Sequence, residues 1–293
     1  MKVVLYGQSG QVGEAILKKI KNDFEWQLPA RTSPEGDFSC PEKLAAFLFQ
    51  EKPDAVINAA AFTAVDEASR RFDEALTINA TAPGIIARTC SQIGAYFIHL
   101  STDYVFDGKG DSPWRESDKT SPANAYGLTK LRGEERVLAQ APDSLILRLS
   151  WLHAANHSNF ITAFCRRLQT QSVVSVVDDQ FGSPTAADDV ADVIGKILFL
   201  KQEGIVLSGI YHFANSGFCS RFECAEEILR QLQSAGISWT FDKTLKRAKT
   251  TDFPAMDPRP LNCRLDTQKL SHAIKIAPRT WQEALGATLR QYF

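Results

Sequence analysis

The chain lacks the features that would place it among secreted, membrane-embedded or nucleic-acid-binding proteins. Its six cysteines form no Cys-x-x-Cys pair, and their spacing suits neither a disulfide framework nor a zinc site. No apolar stretch is long enough to span a membrane, and the first residues, MKVVLYG, lack the apolar core of a signal peptide. The formal net charge is −1 without a basic run, so we expect neither a nucleic-acid nor a membrane partner. A reducing, cytoplasmic location is the expectation that follows.

What the sequence does contain is a regular alternation of apolar strands and amphipathic helices. The strands predicted in the first half are 2–6, 24–28, 54–61, 95–101 and 144–151, and the helices include 41–52 and 78–94. This alternation predicts a parallel sheet covered on both faces by helices. Further on, the pattern predicts strands at 173–179 and 209–215 and a helix at 186–200. The fold class is therefore α/β, with a doubly wound parallel sheet.

A glycine-rich turn follows the first strand. Gly7, Gly10 and Gly13 have the spacing G-x-x-G-x-x-G and lie between a predicted strand and a predicted helix. Glycines in this position permit a tight turn and let the backbone approach a pyrophosphate at the helix N-terminus. The motif predicts a Rossmann-type dinucleotide site, and the alternative is a glycine-rich turn without a ligand.

The segment after the second strand bears on the choice of cofactor. In NAD-binding proteins an acidic residue there holds the ribose 2′-hydroxyl, whereas this chain has Arg31 first and Asp37 further along. A guanidinium suits a 2′-phosphate, so NADPH is the expected cofactor, with NADH as a second one. The alternative is that Arg31 is an ordinary solvent-exposed arginine.

Three side chains near the fourth strand form a candidate catalytic group. Thr102 lies at the carboxyl end of that strand, directly after residue 101, and Tyr126 and Lys130 follow four residues apart, on one face of the next predicted helix. A free tyrosine has a pKa of about 10 and therefore holds a proton at neutral pH. A neighbouring ammonium stabilises the phenolate left after proton transfer, and a threonine hydroxyl can polarise a carbonyl. The pattern predicts a carbonyl-reducing site, although a solvated Tyr–Lys pair would give the same spacing.

Longer stretches carry a resemblance to a known family. GQSGQVG, STDYVFDG, YGLTKLRGE, DDQFGSPT and RPLNCRLDT resemble motifs of the extended short-chain dehydrogenase/reductases, and more closely of the dTDP-4-dehydrorhamnose reductase family. The resemblance covers essentially the whole chain. It implies NAD(P)H-dependent reduction of the 4-keto group of dTDP-4-dehydro-L-rhamnose, a step of nucleotide-sugar and cell-surface polysaccharide biosynthesis. It also implies a Rossmann domain of residues 1–150 and 185–215 and a smaller sugar-nucleotide-binding α/β domain of residues 151–184 and 216–293.

The resemblance also assigns roles to individual residues. Those expected along the cofactor are Gly10, Gln11 and Val12 at the pyrophosphate, Asp37 and Phe38 near the adenine, and Ala61, Phe62 and Thr63 in the groove. Tyr126 is the expected acid, and Lys130 is expected to hold the nicotinamide ribose as well. Those expected at the substrate are Thr102, Asp103 and Trp151 on the sugar and Arg259 on the nucleotide diphosphate. Core packing for Trp151 and a structural loop role for Arg259 are the alternatives.

The chain departs from the family pattern at a few positions. Cys263 stands where the last motif usually has serine, and Phe62 replaces a more usual histidine. Some members bind Mg²⁺ through acidic residues at a dimer contact, but the corresponding places near Ala15 and in the LRQYF tail lack the full acidic set. We therefore expect no metal site and no metal-bridged dimer, and leave a homodimer without metal open.

Two other functions use the same scaffold. A regulatory NADP-binding subunit of the methionine adenosyltransferase β type would keep the glycine loop but would need no sugar pocket. A sugar-nucleotide epimerase returns the hydride and so retains its cofactor, whereas a reductase releases it. Turnover of a 4-keto sugar nucleotide separates the first alternative from a reductase, and cofactor retained through purification would favour the second.

Overall fold

The computed structural model describes residues 1–253 and 257–293. Elements are numbered along the chain, and the strands of the main sheet are β1 (Lys2–Tyr6), β2 (Glu25–Gln27), β3 (Ala55–Asn58), β4 (Tyr96–Thr102), β5 (Leu145–Leu149) and β10 (Gly209–Phe213). They pair in the order β10-β5-β4-β3-β1-β2, and every pairing is parallel. The order reverses between β1 and β3, which opens a crevice at the carboxyl ends of these strands.

Helices cover both faces of this sheet. They are α1 (Gln11–Ile20), α2 (Pro41–Glu51), α3 (Val65–Ala68), α4 (Phe72–Leu76), α5 (Ala82–Ile93), α6 (Ala125–Gln140) and α8 (Ala187–Gln202). Leu5 packs toward α1 and α8, where it meets Ile16 and Ile194, while its neighbour Val4 packs toward α2 and meets Leu44. Successive residues of each strand therefore enter opposite cores, as the alternation of side chains along a strand requires. Full burial of such a Leu or Ile contributes about 1.5–3 kcal/mol.

A second group of elements packs around a core of its own. Its members are β6 (Leu152–His153), α7 (Phe160–Thr170), β7 (Val173–Val177), β8 (Phe181–Gly182), β9 (Thr185–Ala186), β11 (Cys219–Ser220), α9 (Arg221–Ser234), β12 (Thr244–Ala248), α10 (Gln268–Ile274) and α11 (Trp281–Tyr292). Phe164, Val174, Ile228 and Leu285 are buried together in this core. α10 is the exception among these elements, because both of its buried residues, Leu270 and Ile274, pack in the core of the main sheet. The division into two domains stays a prediction that rests on these separate cores.

Capping side chains determine where the helices of this second group begin. Ser220 accepts a bond from the backbone N–H of Glu223, whose carboxylate accepts one from the backbone N–H of Ser220. Thr280 and Glu283 repeat this arrangement at the start of α11. Such reciprocal boxes satisfy two of the amide groups that a helix leaves free at its N-terminus.

The predicted class is confirmed, and most predicted elements are found with shifted ends. The helix predicted at 78–94 begins earlier, because α4 runs through a π-helical turn at Thr77–Thr81 directly into α5. The strand predicted at 24–28 is reduced to β2, and the one predicted at 54–61 ends at Asn58. The residues that follow Asn58 leave the sheet, and the first polar one among them, Thr63, lines the cleft. None of the helices described is long and apolar enough to cross a membrane.

One segment near the C-terminus contacts both groups of elements. The side-chain amide of Asn262 donates to the carbonyl oxygen of Ser112 (2.8 Å), and the Trp114 indole N–H donates to the Asn262 carbonyl (3.1 Å). The next residue, Cys263, donates its backbone N–H to the carbonyl of Phe181 in β8 (2.7 Å). Residues 262–263 therefore connect the loop after β4 to the second core.

Candidate active site

The glycine loop lies between β1 and α1. Gly7 has a φ of +80°, and a Cβ there would lie 2.5 Å from the carbonyl carbon of Ala59. A Cβ on Gly13 would collide with the carbonyl oxygen of Gly7. Gly10, the N-cap of α1, would meet only the Gly7 oxygen, at 3.3 Å. Packing therefore requires glycine at 7 and 13, whereas Gly10 leaves the N-terminus of α1 open for an anionic group such as a diphosphate.

The residues predicted beside the pyrophosphate differ in what they can offer a ligand. Gln11 begins α1, and its side-chain oxygen accepts a bond from the amide of Asn159 (3.1 Å). Val12 is 4% exposed, and its side chain packs in the core of the main sheet. Gln11 therefore lies on the crevice side, and Val12 can contribute its backbone N–H.

The residues predicted at the adenine end follow β2. Arg31 is exposed on the loop, so its guanidinium is accessible from solvent. The carboxylate of Asp37 accepts bonds from the hydroxyl (2.6 Å) and the backbone N–H (2.9 Å) of Ser39, which lower the pKa of Asp37. Phe38 is buried, with its ring edge-on to Tyr6 at 5.4 Å between centroids. Phe38 therefore forms part of the core below the loop that carries Arg31.

A buried asparagine fixes the segment after β3. Asn79 accepts a bond from the backbone N–H of Phe62 (2.8 Å) and donates to the Phe62 carbonyl (3.1 Å) and to the hydroxyl of Thr129 (3.0 Å). Ala61 and Thr63 flank Phe62, and Thr63 is exposed to the cleft. Asn79 belongs to the π-helical turn, and its role was not predicted from the sequence. The sign of Asn79 in the sequence was the motif INA at residues 78–80, which lies within the helix predicted at 78–94.

The three predicted catalytic residues lie together at the end of β4. Thr102 is the last residue of this strand, and Tyr126 and Lys130 are one turn apart on α6. The side chain of Asn124 caps α6 by accepting a bond from the third backbone N–H after it (2.8 Å). Lys130 is 2% exposed, and its ammonium donates to the carbonyl of Leu100 in β4 (2.7 Å). The cap and this bond fix the phenol and the ammonium relative to the sheet.

The surroundings of Tyr126 and Lys130 determine their protonation. Burial raises the pKa of Tyr126 to about 12; a hydrogen bond with Thr102 opposes the shift and the charge of Asp103 adds to it. Burial lowers the pKa of Lys130 to about 8, against the opposing charge of Glu134. At neutral pH the phenol therefore holds its proton and most Lys130 side chains are cationic. This is the protonation state that reduction of a carbonyl needs.

Asp103 is a buried acid beside Thr102. Its carboxylate accepts bonds from the hydroxyls of Thr102 (2.9 Å) and Ser150 (3.1 Å). Burial raises the pKa of Asp103, while these hydroxyls and the Cys263 thiol lower it. The Thr102 hydroxyl is thus engaged by Asp103 and must turn its proton away to polarise a carbonyl.

Trp151 follows β5 in a left-handed backbone conformation, with a φ of +42°. The absence of a side chain at Gly182 makes room for its indole, because a Cβ there would lie 2.6 Å from the ring. The guanidinium carbon of Arg221 lies 3.5 Å from the centroid of the Trp151 ring and 4.7 Å from that of Phe160. Arg221 was not predicted as a site residue, since it lies outside the motifs that identified the other site residues.

Arg259 lies against α3. One of its terminal nitrogens donates to the carboxylate of Asp66 (2.6 Å). The other is buried and has no hydrogen-bond partner within 1–253 and 257–293. Asn124 donates to the carbonyl of Pro258 (2.8 Å), which places this segment next to the start of α6. The contact between Arg259 and a nucleotide diphosphate stays a prediction.

A buried ion pair lies one turn beyond Lys130. Glu134 accepts two bonds from the guanidinium of Arg148 in β5, at 2.9 and 2.6 Å, and a short one from the hydroxyl of Ser101. Both partners are only 2% exposed. His212 in β10 contacts the same guanidinium at 3.4 Å. Tyr126, Lys130 and Glu134 therefore follow one another along a single face of α6.

A cleft connects the glycine loop to the second core. Its lining includes Gln11, Thr63, Trp151, Asn159, Phe160 and Arg221. Cofactor-loop residues and Trp151 thus face one space. No cluster of His, Cys, Asp or Glu in the described part of the chain could hold a metal ion. Between α1, α8 and α11, the ammonium of Lys18 lies 3.1 Å from Asp188 and 2.9 Å from Gln291.

These features define an extended short-chain dehydrogenase/reductase. They are the doubly wound sheet, the glycine loop after its first strand, and the Tyr-x-x-x-Lys pair beside a threonine at a strand end. Within that class, the chain belongs to the family of the RmlD substrate binding domain, whose model matches residues 1–293. It is 36% identical to the dTDP-4-dehydrorhamnose reductase of Escherichia coli K12 over 296 residues, covering 100% of this chain and 98% of that relative.

Solved structures agree with this assignment. A dTDP-4-dehydrorhamnose reductase from Clostridium acetobutylicum superposes with a TM-score of 0.91 at 33% identity, covering 99% of each chain. One from Bacillus anthracis, solved in complex with NADP, gives a TM-score of 0.90 at 27% identity over 99% of each chain. The family predicted from the sequence motifs is therefore confirmed.

Proposed function

We propose that this chain reduces the 4-keto group of dTDP-4-dehydro-L-rhamnose to dTDP-L-rhamnose with NAD(P)H. The observation that carries the proposal is the convergence of Thr102, Tyr126 and Lys130 at the carboxyl end of β4. Family membership and full-length similarity to reductases of this name support the substrate. The product would serve the synthesis of cell-surface polysaccharide, and a relative from Bacillus subtilis is named a spore coat polysaccharide biosynthesis protein.

The cofactor site fits a nicotinamide dinucleotide. Gly10 leaves the N-terminus of α1 free for a pyrophosphate, and Gln11, Val12 and the residues 61–63 follow along the crevice. When bound, the reduced nicotinamide supplies a hydride to the carbonyl carbon. Arg31 is proposed to bind the 2′-phosphate of NADPH, because its guanidinium is exposed on the loop after β2. NADH remains a second cofactor in this proposal.

The chain's own residues then handle the proton and the charge. Tyr126 donates its proton to the carbonyl oxygen, which becomes the 4-hydroxyl of the product. The ammonium of Lys130 stabilises the phenolate that remains, and its bond to the Leu100 carbonyl holds it in place. Thr102, released from Asp103, donates to the same carbonyl oxygen and polarises it. The phenol recovers its proton from solvent before the next cycle.

The regulatory subunit and the epimerase have less support than a reductase. A regulatory subunit of the methionine adenosyltransferase β type needs no proton donor, yet Tyr126, Lys130 and Thr102 are all in place. The full-length relatives named as reductases likewise favour catalysis. An epimerase would hold its cofactor permanently, and no observation favours it over a reductase.

Substrate contacts and assembly belong to the same proposal. Asp103 and Trp151 would contact the sugar, and Arg259 the diphosphate. Catalysis would not need Mg²⁺. The space between Asp188 and Gln291 is occupied by the ammonium of Lys18, which supplies the positive charge there in place of a metal ion. A homodimer is compatible with this arrangement and would not be bridged by metal.

The test is turnover of defined substrates. Purified protein is incubated with NADPH and a panel of 4-keto-6-deoxy nucleotide sugars, and NADPH oxidation and product are measured. We expect turnover with dTDP-4-dehydro-L-rhamnose and formation of dTDP-L-rhamnose. Tyr126→Phe, which removes only the hydroxyl, is the control for oxidation unrelated to the site. NADPH oxidation that is the same in this variant, or no turnover of any member of the panel, would refute the proposal.

A further inference from the structure

Arg221 is a cation in the cleft that the reaction scheme above does not use. Its side chain is half-buried, and its guanidinium lies over Trp151 and against Phe160. Its backbone N–H donates to the carbonyl of Gln180 (3.0 Å), whereas the guanidinium makes no hydrogen bond or ion pair within residues 1–253 and 257–293. Stacking on two rings costs a guanidinium none of its five N–H donors, which lie in its plane. The donors are therefore available to a ligand in the cleft.

The position of Arg221 is close to the reacting end of the cleft. Trp151, on which it stacks, directly follows Ser150, and Ser150 donates to the carboxylate of Asp103 (3.1 Å). That carboxylate also accepts from the hydroxyl of Thr102. Burial raises the pKa of Asp103, and the positive charge of Arg221 is among the influences that oppose this shift, so the two groups interact electrostatically. A cation with free donors thus lines the cleft, and the buried carboxylate of Asp103 lies within electrostatic reach of it.

The opposite charges of Arg221 and Asp103 determine which kind of ligand the cleft favours. A diphosphate would gain from Arg221 but would be repelled by the buried carboxylate of Asp103. A neutral group with several hydroxyls suits both, because hydroxyl oxygens accept from a guanidinium and hydroxyl protons are donated to a carboxylate. The planar fork of an arginine also matches two adjacent oxygens.

We propose that Arg221 is a specificity residue that binds two neighbouring hydroxyl oxygens of the substrate's sugar ring. The inference rests on the proposed function, since the sugar nucleotide is the substrate assigned there. It adds a residue that binds the sugar ring and not the nucleotide. Trp151 has a second role in this scheme, because its ring orients the guanidinium.

The experiment compares binding of dTDP-L-rhamnose with binding of dTDP alone, by calorimetry in the presence of NADP⁺. Arg221→Gln should weaken dTDP-L-rhamnose by about 10- to 100-fold, the range for hydrogen bonds to a charged group, and leave dTDP and NADPH within about twofold. Arg221→Lys keeps the charge but loses the fork, so it should recover only part of the affinity. In turnover, KM should rise more than kcat falls, because the contact is present before the transition state.

Arg247→Gln is the matched control. Arg247 lies 4.2 Å from the ring of Phe222, the residue next to Arg221, but its side chain is 58% exposed and turned toward Asp178. Removing it deletes a comparable stacking contact outside the cleft and should change neither affinity.

Three outcomes would overturn the inference. Unchanged affinity for dTDP-L-rhamnose in Arg221→Gln would make the stack purely structural. An equal loss for dTDP would assign Arg221 to the nucleotide, and a loss for NADPH would assign it to the cofactor. Failure of the proposed function has a different signature, because the wild-type protein would then bind dTDP-L-rhamnose no better than dTDP and would turn over no 4-keto sugar.

Discussion

The charge of Lys130 should depend on the ion pair beneath it, and the dependence can be tested by its sign. Activity requires cationic Lys130, so it should fall as pH rises through the Lys130 pKa of about 8. Glu134 is the group whose charge raises this pKa, and Arg148 neutralises part of that charge. Arg148→Met should therefore raise the pKa of Lys130 and move the basic limb to higher pH. The double variant Glu134→Gln/Arg148→Met should lower the pKa and move the limb to lower pH.

The expected shift in the pKa of Lys130 follows from the spacing between Lys130 and Glu134 along α6. Side chains four residues apart lie about 6 Å from each other, and at an effective dielectric constant of about 20 two unit charges interact by roughly 2–3 kcal/mol. At about 1.4 kcal/mol per pKa unit, removal of Glu134 should lower the limb by roughly one to two units, less whatever Arg148 already screened. His99, on the neighbouring strand, adds no positive charge, because burial, reinforced by the charge of Lys130, holds its own pKa well below the ordinary value.

The assay is kcat/KM for the keto sugar against pH, with thermal unfolding measured in parallel. Arg148→Met leaves a buried carboxylate unpaired and should cost about 3–5 kcal/mol of stability, whereas the double variant removes both charges and should cost less. Loss of stability alone predicts lower activity at every pH but no displacement of the limb. Limbs that stay in place, or move in the same direction in both variants, would refute the coupling.

Three further predictions concern the proton donor, the cofactor and metal. Tyr126→Phe should lower kcat by about 10²–10⁴ and leave NADPH affinity unchanged, while Lys130→Ala should weaken both; a phenylalanine variant within about threefold of wild type would rule Tyr126 out as the acid. Arg31→Ala should raise KM for NADPH more than for NADH, through a loss of roughly 1.5–3 kcal/mol, and equal effects would contradict the phosphate contact. EDTA should leave turnover intact, and a loss that Mg²⁺ reverses would disprove metal independence.

The parallel sheet and the cofactor loop could be predicted because their signals are local. Apolar strands separated by amphipathic helices leave few arrangements of the chain, and Gly13 is required by the Gly7 carbonyl within the same βα unit. Tyr126 and Lys130 could be placed for the same reason, since helical spacing alone puts them on one face.

What the sequence could not predict depends on contacts between distant segments. Arg221 and Trp151 meet because α9 packs beside the end of β5, and no local pattern encodes that contact. Arg148 reads as an interruption of an apolar strand, and its partner Glu134 reads as a surface residue of α6, until the fold buries both. The π-helical turn that holds Asn79 likewise leaves no periodicity that distinguishes it from an ordinary helix.

The bonds made by Asn262 and Cys263 also limit how the cleft can move. They join the loop after β4 to β8 along one border, so any separation of the two cores there would break several hydrogen bonds at once. Another border, between α1 and the loop before α7, is closed by two side-chain contacts, Gln11 to Asn159 at 3.1 Å and Glu14 to His157 at 2.9 Å. Opening of the cleft should therefore hinge at residues 262–263, and reactants should enter and leave past Gln11.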